Sequence, residues 1–243
     1  LMSEIEQLRH DLVIANRILA HEGVVDGFGH VSARHPENPA RFLLSRSRSP
    51  ELVKIDDIRE FDLSGEMIDP DGSQSYLERF IHAAIYELHP EVNGCVHSHS
   101  EALLPFGITS VPLKPVFHNA SRIGREVPVW DIATKFGDTD LLVVNMDHGR
   151  DLAKSLADNR LVLMRGHGLT VATEALHTVV TTAIYAVVNA RVQTTAMQMG
   201  DVKFLSEGEI DAAISKAKKA TVGHKRIWEY LSRRAGCEDL LDS

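Results

Sequence analysis

Two short strand-like runs, each delivering histidine at its C-terminal end, constrain this chain more than any other feature. Asn93-Gly94-Cys95-Val96 leads into His97-Ser98-His99, and Leu161-Val162-Leu163-Met164 leads into Arg165-Gly166-His167-Gly168. In an extended backbone residues i and i+2 point to the same side, so His97 and His99 can both reach one ion. The glycines flanking His167 place a third imidazole at a turn. Ligand sites of α/β proteins gather at such strand ends. Three converging imidazoles with one position left over form the catalytic pattern for a divalent ion.

The surroundings of these runs alternate between helix and strand. Ser3, with Glu6 three residues on, has capping-box spacing. Ile5, Leu8, Leu12, Ala15 and Leu19 then form one apolar stripe, predicting a helix that ends near Glu22-Gly23. Strands are expected from Val31, over Arg41–Leu44, over Ile58–Leu63 and over Asp140–Val144. Residues 74–89 read as a helix stopped by Pro90, and Glu101–Leu104 as a short one. Asp151–Leu156 reads as another, and the longest helix should start at Thr173-Glu174 and run to about Met199. C-terminal helices follow from about residue 206, with a tail from Glu238 expected to fray. With no internal repeat or linker, the pattern predicts one α/β domain: a single α/β/α layered fold with a mixed central sheet.

Composition narrows the function. Of 243 residues, 44% are apolar and 25% charged, with a net charge of −8, which argues against broad nucleic-acid binding. No apolar run approaches the ~20 residues of a membrane span. Two cysteines without CxxC spacing make no disulfide framework. The start, Leu1-Met2-Ser3-Glu4, lacks a signal peptide's basic and apolar regions, and Leu1 reads as a remnant ahead of Met2. A reducing, cytoplasmic home is expected.

Other residues offer chemistry beside plainer readings. Phe28 and Gly29, in Asp26-Gly27-Phe28-Gly29-His30, suggest a tight loop with exposed backbone amides, or simply a glycine-rich turn. Arg46 and Arg48, in Ser45-Arg46-Ser47-Arg48-Ser49, form a donor-rich loop with no acidic neighbour before Glu51. It could grip an anion or merely be solvated. Glu78 and His82 stand four apart; Glu78 is a candidate fourth ligand or proton-transfer group, and His82 reads as structural. His118 is a further polar group that Pro115-Val116-Phe117 could carry toward the site. Most of the thirteen histidines need no function. Nitrogen and carboxylate ligands admit Zn, Mn, Co or Fe.

The pieces Gly27-Phe28-Gly29-His30-Val31-Ser32, Glu78-Arg79-Phe80-Ile81-His82, His97-Ser98-His99 and Arg165-Gly166-His167-Gly168 occur in an order that resembles the class II aldolase/adducin family. The likeness covers about residues 5 to 200. It implies an α/β/α fold, a cyclic homotetramer and a divalent metal, Zn or Mn, at the subunit interface. His97, His99 and His167 would be ligands, with Glu78 as the acidic residue that binds metal or moves a proton. Sugar-phosphate members carry two small hydroxyl residues before that glutamate; here Tyr76 and Leu77 stand there. His30 replaces the glycine loop's asparagine. A planar carboxylate suits a pocket with Phe28, Tyr76 and Leu77 better than a sugar phosphate does. The chain resembles the branch that decarboxylates hydroxy-aromatic or hydroxy-pyridine carboxylates.

Decarboxylation and retro-aldol cleavage both break a carbon–carbon bond and need a sink for its electrons, which a metal supplies. The expected substrate is a small anionic carboxylate, with Arg46 or Arg48 on a second carboxylate. Glu78 leads as proton donor, followed by His30 and His118. Aldol chemistry on a non-phosphorylated substrate is the alternative. A non-enzymatic, adducin-like interaction module is a third reading, which retention of all three histidines disfavours.

Overall fold

Ser3 does cap the first helix: its side chain accepts from the Glu6 amide, while Glu6 reaches back to the Ser3 amide. Such a box is worth about 1 kcal/mol. In the computed structural model, which describes residues 2–241, this helix is α1, Glu4–His21. Leu1 and the last two residues of the tail expected to fray, Asp242 and Ser243, lie outside the described residues.

Seven strands follow: β1 His30–Arg34, β2 Arg41–Ser45, β3 Ile58–Asp62, β4 Gly94–Ser98, β5 Val129–Trp130, β6 Leu161–Met164 and β7 Gly168–Thr173. They lie in the order β3-β2-β1-β4-β7-β6-β5. All pairings are antiparallel except β5 with β6, so the sheet is mixed, as expected. The other helices are α2 Arg79–Leu88, α3 Leu104–Ile108, α4 Ala133–Phe136, α5 Met146–Leu156, α6 Leu176–Met199, α7 Glu207–Lys219, α8 Thr221–Arg234 and α9 Glu238–Leu241. Among the described residues, no helix is long and apolar enough to cross a membrane.

Alternation along the strands builds two cores. Val31, Ala33, Leu43, Val96, Leu169 and Val171 pack with α1 and α6 on one face. Phe42, Leu44, Cys95, Val162, Met164 and Ala172 pack with α2 and α5 on the other. Because β1 and β4 pair with His30 opposite His97 and Ser32 opposite Cys95, His30 and Ser32 fall on the α2 face. That register puts histidine beside histidine.

Four expectations change. Asp140–Val144 is not a strand: it joins none of the seven strands, Leu141 adopts φ +70°, and the Leu141 carbonyl and Val143 amide are taken by the side chains of His167 and Glu78. The helix expected over 74–89 starts at Arg79 with Glu78 as N-cap, leaving Leu77 64% exposed. Thr173 ends β7 instead of opening a helix; α6 begins at Leu176. The short helix expected over Glu101–Leu104 forms one turn later, as α3.

Candidate metal centre

Four elements meet at the C-terminal end of β4. His97, in β4, is fully buried, and its Nδ1–H donates to the Leu169 carbonyl of β7 at 3.0 Å. His167 occupies the turn between β6 and β7, and its Nδ1–H donates to the Leu141 carbonyl at 2.9 Å. Spending Nδ1 on a carbonyl leaves the Nε2 lone pair of each neutral ring facing inward. The Nε2 of His99, just past β4, is 3.0 Å from that of His97 and 3.0 Å from that of His167. Glu78 Oε1 accepts from the Val143 amide at 3.0 Å. Its Oε2 turns toward the imidazoles, 3.3, 3.9 and 3.4 Å from His97, His99 and His167.

These four residues can each offer one ligand atom, all within 4.8 Å of one another. The donor set fits a divalent cation. Inward lone pairs about 3 Å apart repel unless positive charge lies between them. A tetrahedron with bonds of about 2.1 Å has edges near 3.4 Å, which the observed 3.0 to 3.9 Å separations bracket. Burial raises the Glu78 pKa, but the charges and hydrogen bonds of His97 and His167 outweigh it and hold the carboxyl far below the usual carboxylate range. Burial, reinforced by neighbouring His97 and His167, brings His99 down to about 4, so this ligand is neutral at pH 7. Burial also lowers His167, but Glu78 overrides it and raises its pKa. Metal binding therefore competes with a proton there.

His30 borders the cluster, its ring 5.2 Å from that of His97 and 4.6 Å from that of Tyr76. The Tyr76 hydroxyl donates to the Arg48 carbonyl, which ties the arginine loop to this wall. Phe28 is 72% exposed and stands 6.4 Å from the His99 ring. Its amide is taken by Asp26 at 2.8 Å, so this part of the glycine loop satisfies itself instead of exposing donors. Gly29 serves close packing: at φ +93°, an added Cβ would lie 2.7 Å from Val25 Cγ1 and 3.0 Å from the His97 carbonyl.

Arg46 and Arg48 do have an acidic neighbour, in space and not in sequence. Asp57 binds Arg46 at 2.6 Å and lies 3.5 Å from Arg48, so two guanidiniums share one carboxylate and one net positive charge remains. His118 is not brought to the cluster within the chain. It opens the turn His118–Ile123 and lines a separate cleft of about 600 Å³ with Arg122, Tyr185 and His224. That cleft is large, but it lacks the convergent ligand atoms of the Glu78 cluster, where we place the chemistry.

Sequence reasoning missed the groups behind the cluster. Ser32 and Tyr86 line up with His82 in the core, and the Leu141 and Val143 backbone holds two ligands. Only the long β-like run at 140–144 hinted at the latter. His82 is fully buried, and burial takes its pKa down to about 3. The unfolded chain therefore binds a proton at His82 below about pH 6.5 while the folded chain does not, so the stability present above 6.5 is lost as pH falls toward 3. Each such proton changes stability by about 1.4 kcal/mol per pH unit. Urea unfolding at pH 6.5 and 4.5 is expected to show this loss, and His82→Gln to reduce the slope by about that amount.

Comparison with known proteins agrees with this geometry. Residues 10–194 match the family described as the Class II Aldolase and Adducin N-terminal domain. The decarboxylase TropJ of Talaromyces stipitatus is 34% identical, over 87% of this chain and 88% of that protein. A 3,4-dihydroxyphthalate decarboxylase of Arthrobacter keyseri is 28% identical, over 72% of this chain and 73% of that protein. An aldolase II superfamily protein from Pseudomonas syringae superposes with a TM-score of 0.79 at 19% identity, covering 96% of this chain and 94% of that one. The likeness to the solved structure shows the fold, the sequence match spans the ligand-bearing strands, and the chain belongs to the class II aldolase and adducin family.

Proposed function

We propose that this protein is a metal-dependent decarboxylase of a hydroxy-substituted aromatic or heteroaromatic carboxylate. The observation that carries the reading is the Glu78–His97–His99–His167 cluster bordered by Phe28, His30 and Tyr76. Relatives named as decarboxylases support it. Glu78, His97, His99 and His167 would hold a divalent ion, Zn or Mn, which would supply Lewis acidity for charge developing on the oxygen beside the breaking bond. Carbon dioxide leaves, and a proton from solvent water takes its place on the ring carbon.

Within the chain, the depressed pKa of Glu78 supports a ligand role over that of proton donor, since a carboxyl ionised at neutral pH has no proton to give. His30 and Tyr76, their rings 4.6 Å apart and tilted by 40°, form an aromatic wall suited to a ring. The positive charge that Asp57 leaves on the arginine pair suits a second carboxylate, and Arg48, the more loosely held, is its proposed partner. Arg48→Ala is expected to raise KM roughly tenfold with kcat little changed, the effect of losing one charge-assisted hydrogen bond in binding. We extend the family resemblance to a homotetramer, in which exposed Phe28 and Leu77 would find cover.

The direct test incubates the purified protein with a hydroxy-aryl dicarboxylate and Mn or Zn and measures gas release. Carbon dioxide formed in step with substrate loss is the expected result. Aldehyde-dependent exchange without gas would overturn the reading in favour of aldol chemistry.

A further inference from the structure

Behind His30 runs a closed chain of side-chain hydrogen bonds. His30 Nδ1 lies 2.6 Å from His82 Nε2, His82 Nδ1 lies 2.5 Å from Ser32 Oγ, and Ser32 Oγ lies 2.8 Å from the Tyr86 hydroxyl. Ser32 and His82 are 0% exposed, Tyr86 1% and His30 4%. The far end is clamped. Arg34 sits 4.8 Å over the Tyr86 ring and donates to the carbonyls of Tyr86 and His89, each at 3.0 Å. Phe42 packs against both the Tyr86 and His82 rings.

The direction of the chain follows from its blind end. Among the described residues, Ser32 is the side-chain partner of the Tyr86 hydroxyl, so the phenol proton goes to Ser32 Oγ. The Ser32 proton must then go to His82 Nδ1. Burial keeps His82 neutral, so its single ring proton is on Nε2 and is donated to His30 Nδ1. Run the other way, the chain would strand the phenol proton in the core, a cost that buried polar groups avoid.

We infer that Tyr86, Ser32 and His82 are positioning residues that fix His30 as the Nε2–H tautomer, so that it presents a hydrogen-bond donor to the substrate anion beside the metal cluster. The two ring nitrogens point in broadly opposite directions, so a proton held on Nε2 faces away from His82. Such a donor suits a carboxylate or ring hydroxylate. The role of His30 toward substrate rests on the function proposed above; its tautomer does not.

The experiment uses full-length, Zn-loaded protein with ¹⁵N-labelled histidine at neutral pH. Long-range ¹H–¹⁵N correlation distinguishes protonated from bare ring nitrogens, and His30→Gln assigns the His30 signals. The expected wild-type spectrum shows His30 and His82 each protonated at Nε2 and bare at Nδ1. In Tyr86→Phe, which keeps the ring and loses the directing proton, His30 is expected to shift toward a mixture of tautomers. Zinc content should stay unchanged, and kcat should fall about tenfold, the worth of one hydrogen bond in the transition state. A wild-type His30 protonated at Nδ1, or one unmoved by Tyr86→Phe, overturns the inference. If Tyr86→Phe does not fold, the wild-type spectrum still decides the tautomer, and Ser32→Ala breaks the next link. Absence of decarboxylation alongside the expected spectrum would sink the proposed reaction and leave the relay standing.

Discussion

His97→Ala is expected to release the metal and abolish turnover together. His97 is the ligand most committed to its place: its imidazole is fully buried, its Nδ1–H is spent on Leu169, and its Nε2 lies within 3.3 Å of both His99 and Glu78. Removing it leaves three of the four ligand atoms and takes away the ring nitrogen nearest the Glu78 carboxylate. Lewis-acid stabilisation of developing charge is worth several kcal/mol, and a loss of about 4 kcal/mol corresponds to roughly a thousandfold in rate. Metal content by mass spectrometry and gas release measured on the same sample check the prediction. Because the change also opens a cavity in the core, His99→Ala is the companion variant: its side chain is 30% exposed, so it removes a ligand with less disturbance of packing. Activity that survives both chelation and the loss of His97 would end the electron-sink proposal.

The convergence of the three histidines was legible in the sequence because their spacing obeys strand geometry. His97 and His99 share a side by period two, and His167 follows a four-residue buried run. Their supports were not legible, because hydrogen bonds to backbone carry no residue-type signature. The Leu141 carbonyl and the Val143 amide orient His167 and Glu78 whatever side chains those positions bear. The same run misled as a strand, since Leu-Leu-Val-Val scores as β whether or not a sheet edge is free. Asp57 could not be placed beside Arg46 and Arg48 from the sequence: the contact depends on how β2 pairs with β3 and on the turn at Ile55–Asp57. His82 read as structural in isolation. Its line of contact to His30 exists only because β1 turns positions 30 and 32 toward α2. The fold class was readable since alternation of helix and strand needs no tertiary knowledge, whereas the start of α2 was misplaced because the Leu77–Ile81–Ile85 stripe continues past the residue that caps the helix.

Gly168→Ala is expected to be among the most damaging small substitutions in the chain, and Gly166→Ala two residues away a mild one. At Gly168 an added Cβ would lie 2.1 Å from the Ser98 carbonyl oxygen, 3.0 Å from its carbon and 3.1 Å from His99 Cα. Every one of these is backbone, at the end of β4 and the residue after it, where His97 and His99 are carried, so no side chain can rotate away. Relief requires β7 to separate from β4, which breaks the Ser98–Leu169 end of their pairing and moves His167 relative to His97 and His99. Overpacking of this kind costs about 3 kcal/mol at the upper end of the usual range. Ligands displaced by a few tenths of an ångström should weaken metal binding by roughly a hundredfold. Gly166 has the left-handed φ of +65°, but its nearest neighbour to an added Cβ is Leu141 Cδ1 at 3.7 Å. Alanine there meets only backbone strain, about 1 kcal/mol, and the cluster stays whole. Urea unfolding with metal chelated separates the stability terms from metal loss, and competition with a chromogenic chelator reads the affinity. Equal effects at the two positions would mean that close approach of β7 to β4 is not why glycine stands at 168.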